Sequence, residues 1–388
     1  MSVFQLSIHE KHRQRVGLMA SMNDFTVGQR KEVNAAMVVN NPCVTLYCLD
    51  DKAREAVFVE LPNQIDLTKA AFVYQTQYEH AQRIFTMPYE LFHTLSGNLP
   101  DMDRPIFIYI TGRSGSTLLS HAFNESGLVK SLAEPDVMSQ FANLHYQTDG
   151  LREHELQLLA DSSLRFLFRD LHSPHAQTHA VKFRNQGTKI MDLFQAAFPK
   201  CKNLFLYRNV VDFVASFQRL RRKNNLPEKQ SFTDWKKDAE IWLEGEVTRP
   251  THYLGWVDNE ISSAQQLTLY WLAVMDWYMV QRESGVPALA MNFNDLVNSP
   301  RKSLSLIFNY CGLPQGGVEA GLRAFDRDAQ EGTLFAREDP LVVNQVGLSQ
   351  KELKSVRKII ERHPGFGNSD DEKWGISADP YNKAPFLR

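Results

Sequence analysis

The residue types best suited to chemistry gather in one turn, Thr111-Gly112-Arg113-Ser114-Gly115-Ser116-Thr117. An apolar run, Phe107-Ile108-Tyr109-Ile110, precedes it, and Leu118 to Phe123 follows with helical character. Two glycines and four hydroxyl residues between a buried strand and a helix form a cradle suited to phosphate. The backbone N–H groups of such a turn and the positive helix N-terminus point at one place, and glycine lets an anion approach closely. An ATP-type loop has four residues between its glycines and a lysine before the Ser or Thr. Here two residues separate the glycines, and the one cation, Arg113, sits ahead of the second. Taken alone, the same turn also reads as a plain structural one.

A second stretch runs Leu204-Phe205-Leu206-Tyr207-Arg208-Asn209-Val210-Val211-Asp212-Phe213-Val214-Ala215-Ser216. Arg208 ends an apolar strand, and Ser216 lies 216 − 208 = 8 residues on, about two helical turns. A guanidinium at a strand end and a hydroxyl on the next helix can hold two sides of one phosphate. A surface arginine and a helix serine are the plainer alternative.

The elements that must position these groups alternate from Arg104 onward. Leu128–Leu132, His179–Phe183, Asn203–Tyr207 and Pro287–Phe293 read as short strands. Leu151–Leu171, Ile190–Phe198, Val210–Leu220 and Ser303–Tyr310 read as helices. Alternating short strands and helices predict an α/β fold with a mainly parallel central sheet flanked by helices. Ligands bind such sheets at the carboxyl ends of strands. That rule brings Arg113, Glu134, Arg184 or Lys182, and Arg208 to one rim. Residues 1–100 read differently, as an N-terminal addition: Val44–Tyr47 and Ala56–Val59 form a hairpin, and Tyr78–Leu95 is helical with a break at Pro88. The turn formers Ser96-Gly97-Asn98-Leu99-Pro100 mark a boundary. The expected organisation is this addition, a catalytic domain over 101–320, and a C-terminal segment over 321–388 that covers the nucleotide.

The chain has 388 residues, with 43 basic and 45 acidic, so its net balance of −2 carries no nucleic-acid signature. Cys43, Cys48, Cys201 and Cys311 fit neither a disulfide framework nor a zinc pattern. Reduced, buried thiols and a cytoplasmic location are expected. No secretory signal is evident, and the longest aromatic-rich run, Leu267–Val280, carries Asp276 and is too short to span a membrane.

Together, Gly112-Arg113-Ser114-Gly115-Ser116-Thr117 and Arg208…Ser216 resemble the two nucleotide motifs of the sulfotransferase family. The resemblance continues in Met291-Asn292-Phe293-Asn294-Asp295-Leu296 and Cys311-Gly312-Leu313, where family members usually show Arg-Tyr-Glu-Asp-Leu and a glycine-leucine pair. Asn292 and Asn294 are departures. The likeness covers roughly residues 104 to 315 and implies a P-loop-like three-layer fold. It also implies 3′-phosphoadenosine 5′-phosphosulfate (PAPS) as the co-substrate, with the first motif (Gly112, Arg113, Ser114, Gly115, Ser116, Thr117) on its 5′-phosphosulfate. Arg208 and Ser216 would hold its 3′-phosphate. The spacing is closest to tyrosylprotein and related bacterial sulfotransferases, which carry a glutamate after the second strand and a lysine before the Arg…Ser motif. Glu134, in Ala133-Glu134-Pro135, and Lys182, in Val181-Lys182-Phe183, are the matching positions. The cytosolic small-molecule branch has a histidine base and a lysine in its first loop, where this chain has Arg113.

The implied reaction is in-line sulfuryl transfer to a hydroxyl, less readily an amine, of a small molecule, lipid or saccharide. Glu134 would be the base, Lys182 and Arg113 would neutralise the leaving group, and no metal is required. An exposed carboxylate before proline and a lysine paired to a neighbouring acid are the plainer alternatives for Glu134 and Lys182. His121 and His145 are reserve bases, and the run Arg219-Leu220-Arg221-Arg222-Lys223 is either a phosphate contact or a solvated helix end. Of the aromatic-rich middle, Tyr270, Val274 and Trp277 read as core. Trp235, Trp242, Tyr253 and Trp256 are candidates for an acceptor pocket. A nucleotide-dependent kinase or NTPase, and an inactive nucleotide-binding scaffold, are the rival functions.

Overall fold

Strand-prone runs of Val, Thr, Phe and Tyr dominate the first ninety residues, and they pair with one another. The computed structural model describes residues 2–13, 18–169, 176, 178–223, 229–231, 233–234, 237, 256–257, 260–329 and 347–363. Its first sheet contains β1 (Val3–Lys11), β2 (Phe25–Val27), β3 (Lys31–Val33), β4 (Val44–Asp50), β5 (Glu55–Glu60) and β6 (Arg83–Pro88). The order is β2-β1-β6-β5-β4, with β3 also on β1, and all pairs are antiparallel. The predicted hairpin is β4–β5, in register from Val44 opposite Glu60 to Asp50 opposite Glu55.

The predicted helix over Tyr78–Leu95 is replaced by three elements: a helix over Val73–His80, the strand β6, and a helix over Tyr89–Ser96. β6 is central, between β1 and β5, with Ile84, Phe85, Thr86 and Met87 all buried. A strand covered on both faces loses the polar alternation that marks strands in a sequence. Pro88 ends that strand instead of breaking a helix.

The second sheet is built from β7 (Ile106–Ile110), β8 (Val129–Ala133), β9 (Thr178–Lys182) and β10 (Lys202–Tyr207). After a small ribbon of β11 (Lys229–Ser231) and β12 (Glu260–Ser262), β13 (Leu289–Asn292) completes it. Its order is β13-β10-β7-β9-β8, every neighbour parallel. This is the expected α/β arrangement, a parallel sheet flanked by helices on both faces. Successive side chains of β7 go to opposite faces. Ile106, Ile108 and Ile110 pack with Leu119, Phe123, Ile307 and Phe308. Phe107 and Tyr109 pack with Phe183, Phe194 and Trp271 on the other side. Tyr278 stacks on Phe205 at 3.9 Å, and Val274 and Trp277 are buried as predicted, because the helix Ser263–Glu283 is covered almost all round.

The two sheets share one apolar core. Val44, Leu46, Phe58, Phe85 and Phe92 lie in the same cluster as Val137, Phe166 and Phe107. Phe166 stacks on Phe92 at 4.9 Å. The exposed edge of β4 is occupied by the Gln140 amide, which accepts from the Leu49 N–H at 2.9 Å and donates to the Leu49 carbonyl at 2.7 Å. A side chain thus replaces the strand that an open edge invites.

Cys48, Cys201 and Cys311 are buried free thiols, and Cys43 is free but half-buried. Among the described residues no helix is long and apolar enough to cross a membrane. Trp235, Trp242 and Tyr253, together with most of the expected nucleotide cover beyond 329, lie outside the described residues. Trp256 is half-buried beside His363.

Arg169 ties the helix Glu153–Phe168 to the first sheet's segment. Its buried guanidinium donates to the carbonyls of Phe166 at 2.7 Å, Val38 and Asn41 at 3.0 Å, Val39 at 3.3 Å, and Val44. Arg169→Met keeps the apolar stem and strips these acceptors of their donor. Equilibrium urea unfolding should show a loss of roughly 2–4 kcal/mol; an unchanged midpoint and slope would remove Arg169 from the joint.

Candidate active site

The turn after β7 departs from ordinary backbone at three positions: φ is 88° at Gly112, 53° at Arg113 and 79° at Gly115. Left-handed conformation is natural for glycine and strained for arginine. Gly115 is also sterically committed, since a Cβ there would meet Phe293 at 3.0 Å and Leu296 at 3.1 Å. Asn185 Nδ2 donates to the Thr111 carbonyl at 2.8 Å. The Thr111 hydroxyl accepts the Arg208 N–H at 3.2 Å, so the ends of β7 and β10 are tied together.

Arginines crowd this corner. Arg113 Nε donates to Ser216 Oγ at 2.9 Å, and Arg208 Nη1 lies 3.4 Å from the Arg113 carbonyl. The Arg208 guanidinium stacks on Phe293 at 4.3 Å. Ser216 therefore meets Arg113, a contact that the Arg208…Ser216 spacing does not specify. Burial, then the charges of Arg208 and Arg219, push Arg113 down to about 10. Burial and Arg219 lower Arg208 too, against the opposing charge of Asp212. Cations crowded into a buried corner mark a place where an anion is favoured. At this turn the buried Arg208 Nε and Ser114 Oγ make no hydrogen bond among the described residues. The basic run divides, with Arg219 acting on this corner and Arg222 paired to Glu352 at 3.1 Å.

Glu134 and Lys182 end the neighbouring strands β8 and β9. Lys182 Nζ lies 2.7 Å from Glu134 Oε1 and donates to Thr117 Oγ1 at 2.9 Å. Lys182 is 2% exposed and Glu134 8%. Glu134 also has left-handed backbone, φ 56°. Its N–H donates to the Lys182 carbonyl at 2.8 Å, and its carbonyl accepts from the Tyr74 N–H at 3.3 Å. The pairing of Lys182 with a neighbouring acid does occur, and the acid is Glu134 itself.

Arg113, Glu134, Lys182, Arg184 and Arg208 thus follow the carboxyl ends of β7, β8, β9 and β10, on the expected rim. His121 sits one turn along the helix from Thr117; burial and the Lys182 charge hold its pKa below the usual imidazole range. His145, in the helix Phe141–Gln147, makes none of these contacts. The departures Asn292 and Asn294 have local work. Asn292 caps the helix Phe293–Asn298 by accepting the Asn294 N–H at 2.8 Å, and its amide donates to Asn209 Oδ1 at 2.9 Å.

Residues from the start of the helix Val73–His80, in the N-terminal part, reach this rim without any sequence signal. The Lys182 ammonium lies 5.3 Å from the Phe72 ring centroid, and Arg184 stacks on Tyr74 at 4.5 Å. Asp136, two residues past Glu134, pairs with Arg184 at 3.1 Å.

Residues 103–329, more than half of the chain, match the sulfotransferase domain family. The chain belongs to the sulfotransferase family. It is accordingly a sulfotransferase enzyme, and the paired turn and Glu134–Lys182 rim lie within the matching stretch. Sulfotransferase STF9 of Mycobacterium avium is 12% identical over 69% of this chain and 78% of its own, with a TM-score of 0.37. The sulfotransferase domain of the Synechococcus olefin synthase is 18% identical over 66% and 90%, at 0.34. Sulfotransferase STF1 of Mycobacterium tuberculosis is 14% identical over 60% and 76%, at 0.35. No curated protein matches the chain significantly.

His121 Nε2 is buried without a hydrogen bond among the described residues. In the unfolded chain the ring protonates near its ordinary value of 6.5, and in this sulfotransferase only lower. Between those values the unfolded state binds the extra proton, so stability should fall as pH drops through 6.5. Thermal unfolding followed from about pH 7.5 to about pH 5.5 should show a larger drop in Tm for wild type than for His121→Gln. Equal drops would contradict it.

Proposed function

We propose that this sulfotransferase moves a sulfuryl group from PAPS to a hydroxyl of a small molecule, lipid or saccharide, by in-line displacement with Glu134 as base. The observation that carries the reading is the Glu134–Lys182 pair at 2.7 Å, set beside a turn where burial and the Arg208 charge push Arg113 down. The orphaned Arg208 Nε and Ser114 Oγ fit a phosphorylated donor, each having hydrogen-bonding capacity to give.

When bound, PAPS supplies a sulfuryl group already activated by its phosphate leaving group. Gly112 to Thr117 hold the 5′-phosphosulfate with backbone N–H groups and hydroxyls, and Arg113 holds it with its charge. Arg208 and Ser216 bind the 3′-phosphate, Arg208 through Nε and Ser216 through the hydroxyl already oriented by Arg113. Glu134 spends Oε1 on Lys182 and takes the acceptor proton on Oε2. The acceptor oxygen then forms its bond to sulfur as the sulfur–phosphate oxygen bond breaks. Lys182 and Arg113 neutralise the electron pair left on the phosphate oxygen. Four free thiols support a reducing, cytoplasmic location.

Arg208→Ala removes a charged contact to the 3′-phosphate. Calorimetry should show adenosine 3′,5′-bisphosphate binding weakened by about 2 kcal/mol, roughly thirty-fold, while adenosine 5′-phosphate binds both proteins weakly. Equal affinity for the bisphosphate would take Arg208 out of the site.

Glu134→Gln keeps shape and abolishes proton affinity. Turnover should fall by roughly 10²–10⁴ with bisphosphate affinity near wild type. Acceptors of falling pKa should partly rescue Glu134→Gln but not Lys182→Ala, because an acceptor that ionises unaided needs no base while the leaving phosphate still needs its cation. Single-turnover rates decide it: a Glu134→Gln enzyme as fast as wild type on a weakly acidic alcohol ends the assignment.

A further inference from the structure

Glu134 is held in a conformation that a glutamate does not favour. Its left-handed backbone, φ 56°, is strained for any residue but glycine. Such a residue persists only where its surroundings over-determine it. The immediate backbone supplies two bonds, to the Lys182 carbonyl and from the Tyr74 N–H. A third anchor stands two residues on. Asp136 is wholly buried, and its Oδ2 accepts from the Ala20 N–H at 2.7 Å and from Arg13 Nη2 at 3.0 Å. Its Oδ1 accepts from Arg184 Nη1 at 3.1 Å. Arg13 is fixed in turn: its backbone N–H donates to the Tyr78 hydroxyl at 2.9 Å, and its Nε lies 3.8 Å from Asp24.

Residues from separate places in the N-terminal part therefore converge on one turn: Arg13 and Ala20 on Asp136, Tyr74 on Glu134 and Arg184, and Phe72 on Lys182. None of them lies in the stretch that matches the family, which begins at 103. We propose that Asp136, gripped by Arg13 of the N-terminal part, is a positioning residue that sets the attitude of the Glu134 carboxylate, so that the first hundred residues are a working component of the sulfotransfer site. The proposal rests on the reading of Glu134 as base. Asp136 acts through Glu134 and touches no reacting atom. Arg13 and Arg184 against Asp24 and Asp136 make a charge-balanced group, which a purely structural ion-pair cluster would also be. The two roles differ in one measurable respect. A group that acts only by aiming Glu134 has nothing left to contribute once Glu134 cannot act as a base.

The test is a double-mutant cycle on the full-length chain with labelled PAPS and one alcohol acceptor. Asp136→Asn is the direct variant, and Arg13→Gln is the second, which leaves Arg184 to answer the Asp136 charge if the first fails to fold. Turnover should fall about 10- to 100-fold in the folded variant, with adenosine 3′,5′-bisphosphate affinity within about twofold of wild type. On the Glu134→Gln background the same substitution should change turnover by less than about twofold. The loss should also shrink with more acidic acceptors, as a displaced base requires. An equal loss on both backgrounds, or a folded variant with wild-type turnover, overturns the positioning role while leaving the base in place. A Glu134→Gln enzyme as fast as wild type overturns the base and this proposal together.

Discussion

A buried ammonium must have its charge answered where it stands, and Lys182 imposes that demand on the whole molecule. Its stem lies within β9, with Ala180 and Val181 buried beside it, while its head meets the Glu134 carboxylate from β8 and the Thr117 hydroxyl from the helix after the turn. One cation thus references three separate segments to a common point. Because β8, β9 and β7 are adjacent and parallel, their carboxyl ends lie at one level, and short connections suffice to bring these groups together. The parallel sheet is the device that makes this convergence cheap in geometry.

The second constraint is repulsion. Arg113 and Arg208 are brought close although the Arg208 charge makes Arg113 harder to keep protonated, and Arg219 acts on both. The Thr111 hydroxyl, the Asn185 amide and the left-handed turn hold them there. Donors held in place before an anion arrives need not reorganise when it does, which is where electrostatic assistance to group transfer comes from. Stability given up locally is supplied by the apolar layers on either face of β7.

Much of this arrangement was legible in the sequence, for identifiable reasons. Strands followed at once by helices, with Arg113, Glu134, Lys182 and Arg208 at the junctions, need only local patterns and one rule about parallel sheets. The hairpin β4–β5 was legible because its turn is local. The strand β6 was not: burial on both faces erases the alternation, and only its partners β1 and β5 make it a strand. The pairing of Ser216 with Arg113 was missed because a spacing of eight residues fixes a helix face and not the neighbour across the turn. Asp136, Arg13, Phe72 and Tyr74 belong to contacts between segments far apart in the chain, some 116 to 123 residues at Asp136. No local pattern encodes those.

The Arg169 joint has a temporal side. Its partners Val38, Asn41 and Val44 precede it by 125 to 131 residues. During synthesis the first sheet is therefore complete in sequence long before the arginine that ties it, or the Phe166 ring that covers its inner face, has left the ribosome. In that interval Phe58, Phe85 and Phe92 have no lasting cover, and the edge of β4 still waits for Gln140. Long-range closure of this kind is slow, and transient apolar surface invites association. Until roughly residue 170 has been made, the inner face of the first sheet lacks its native cover.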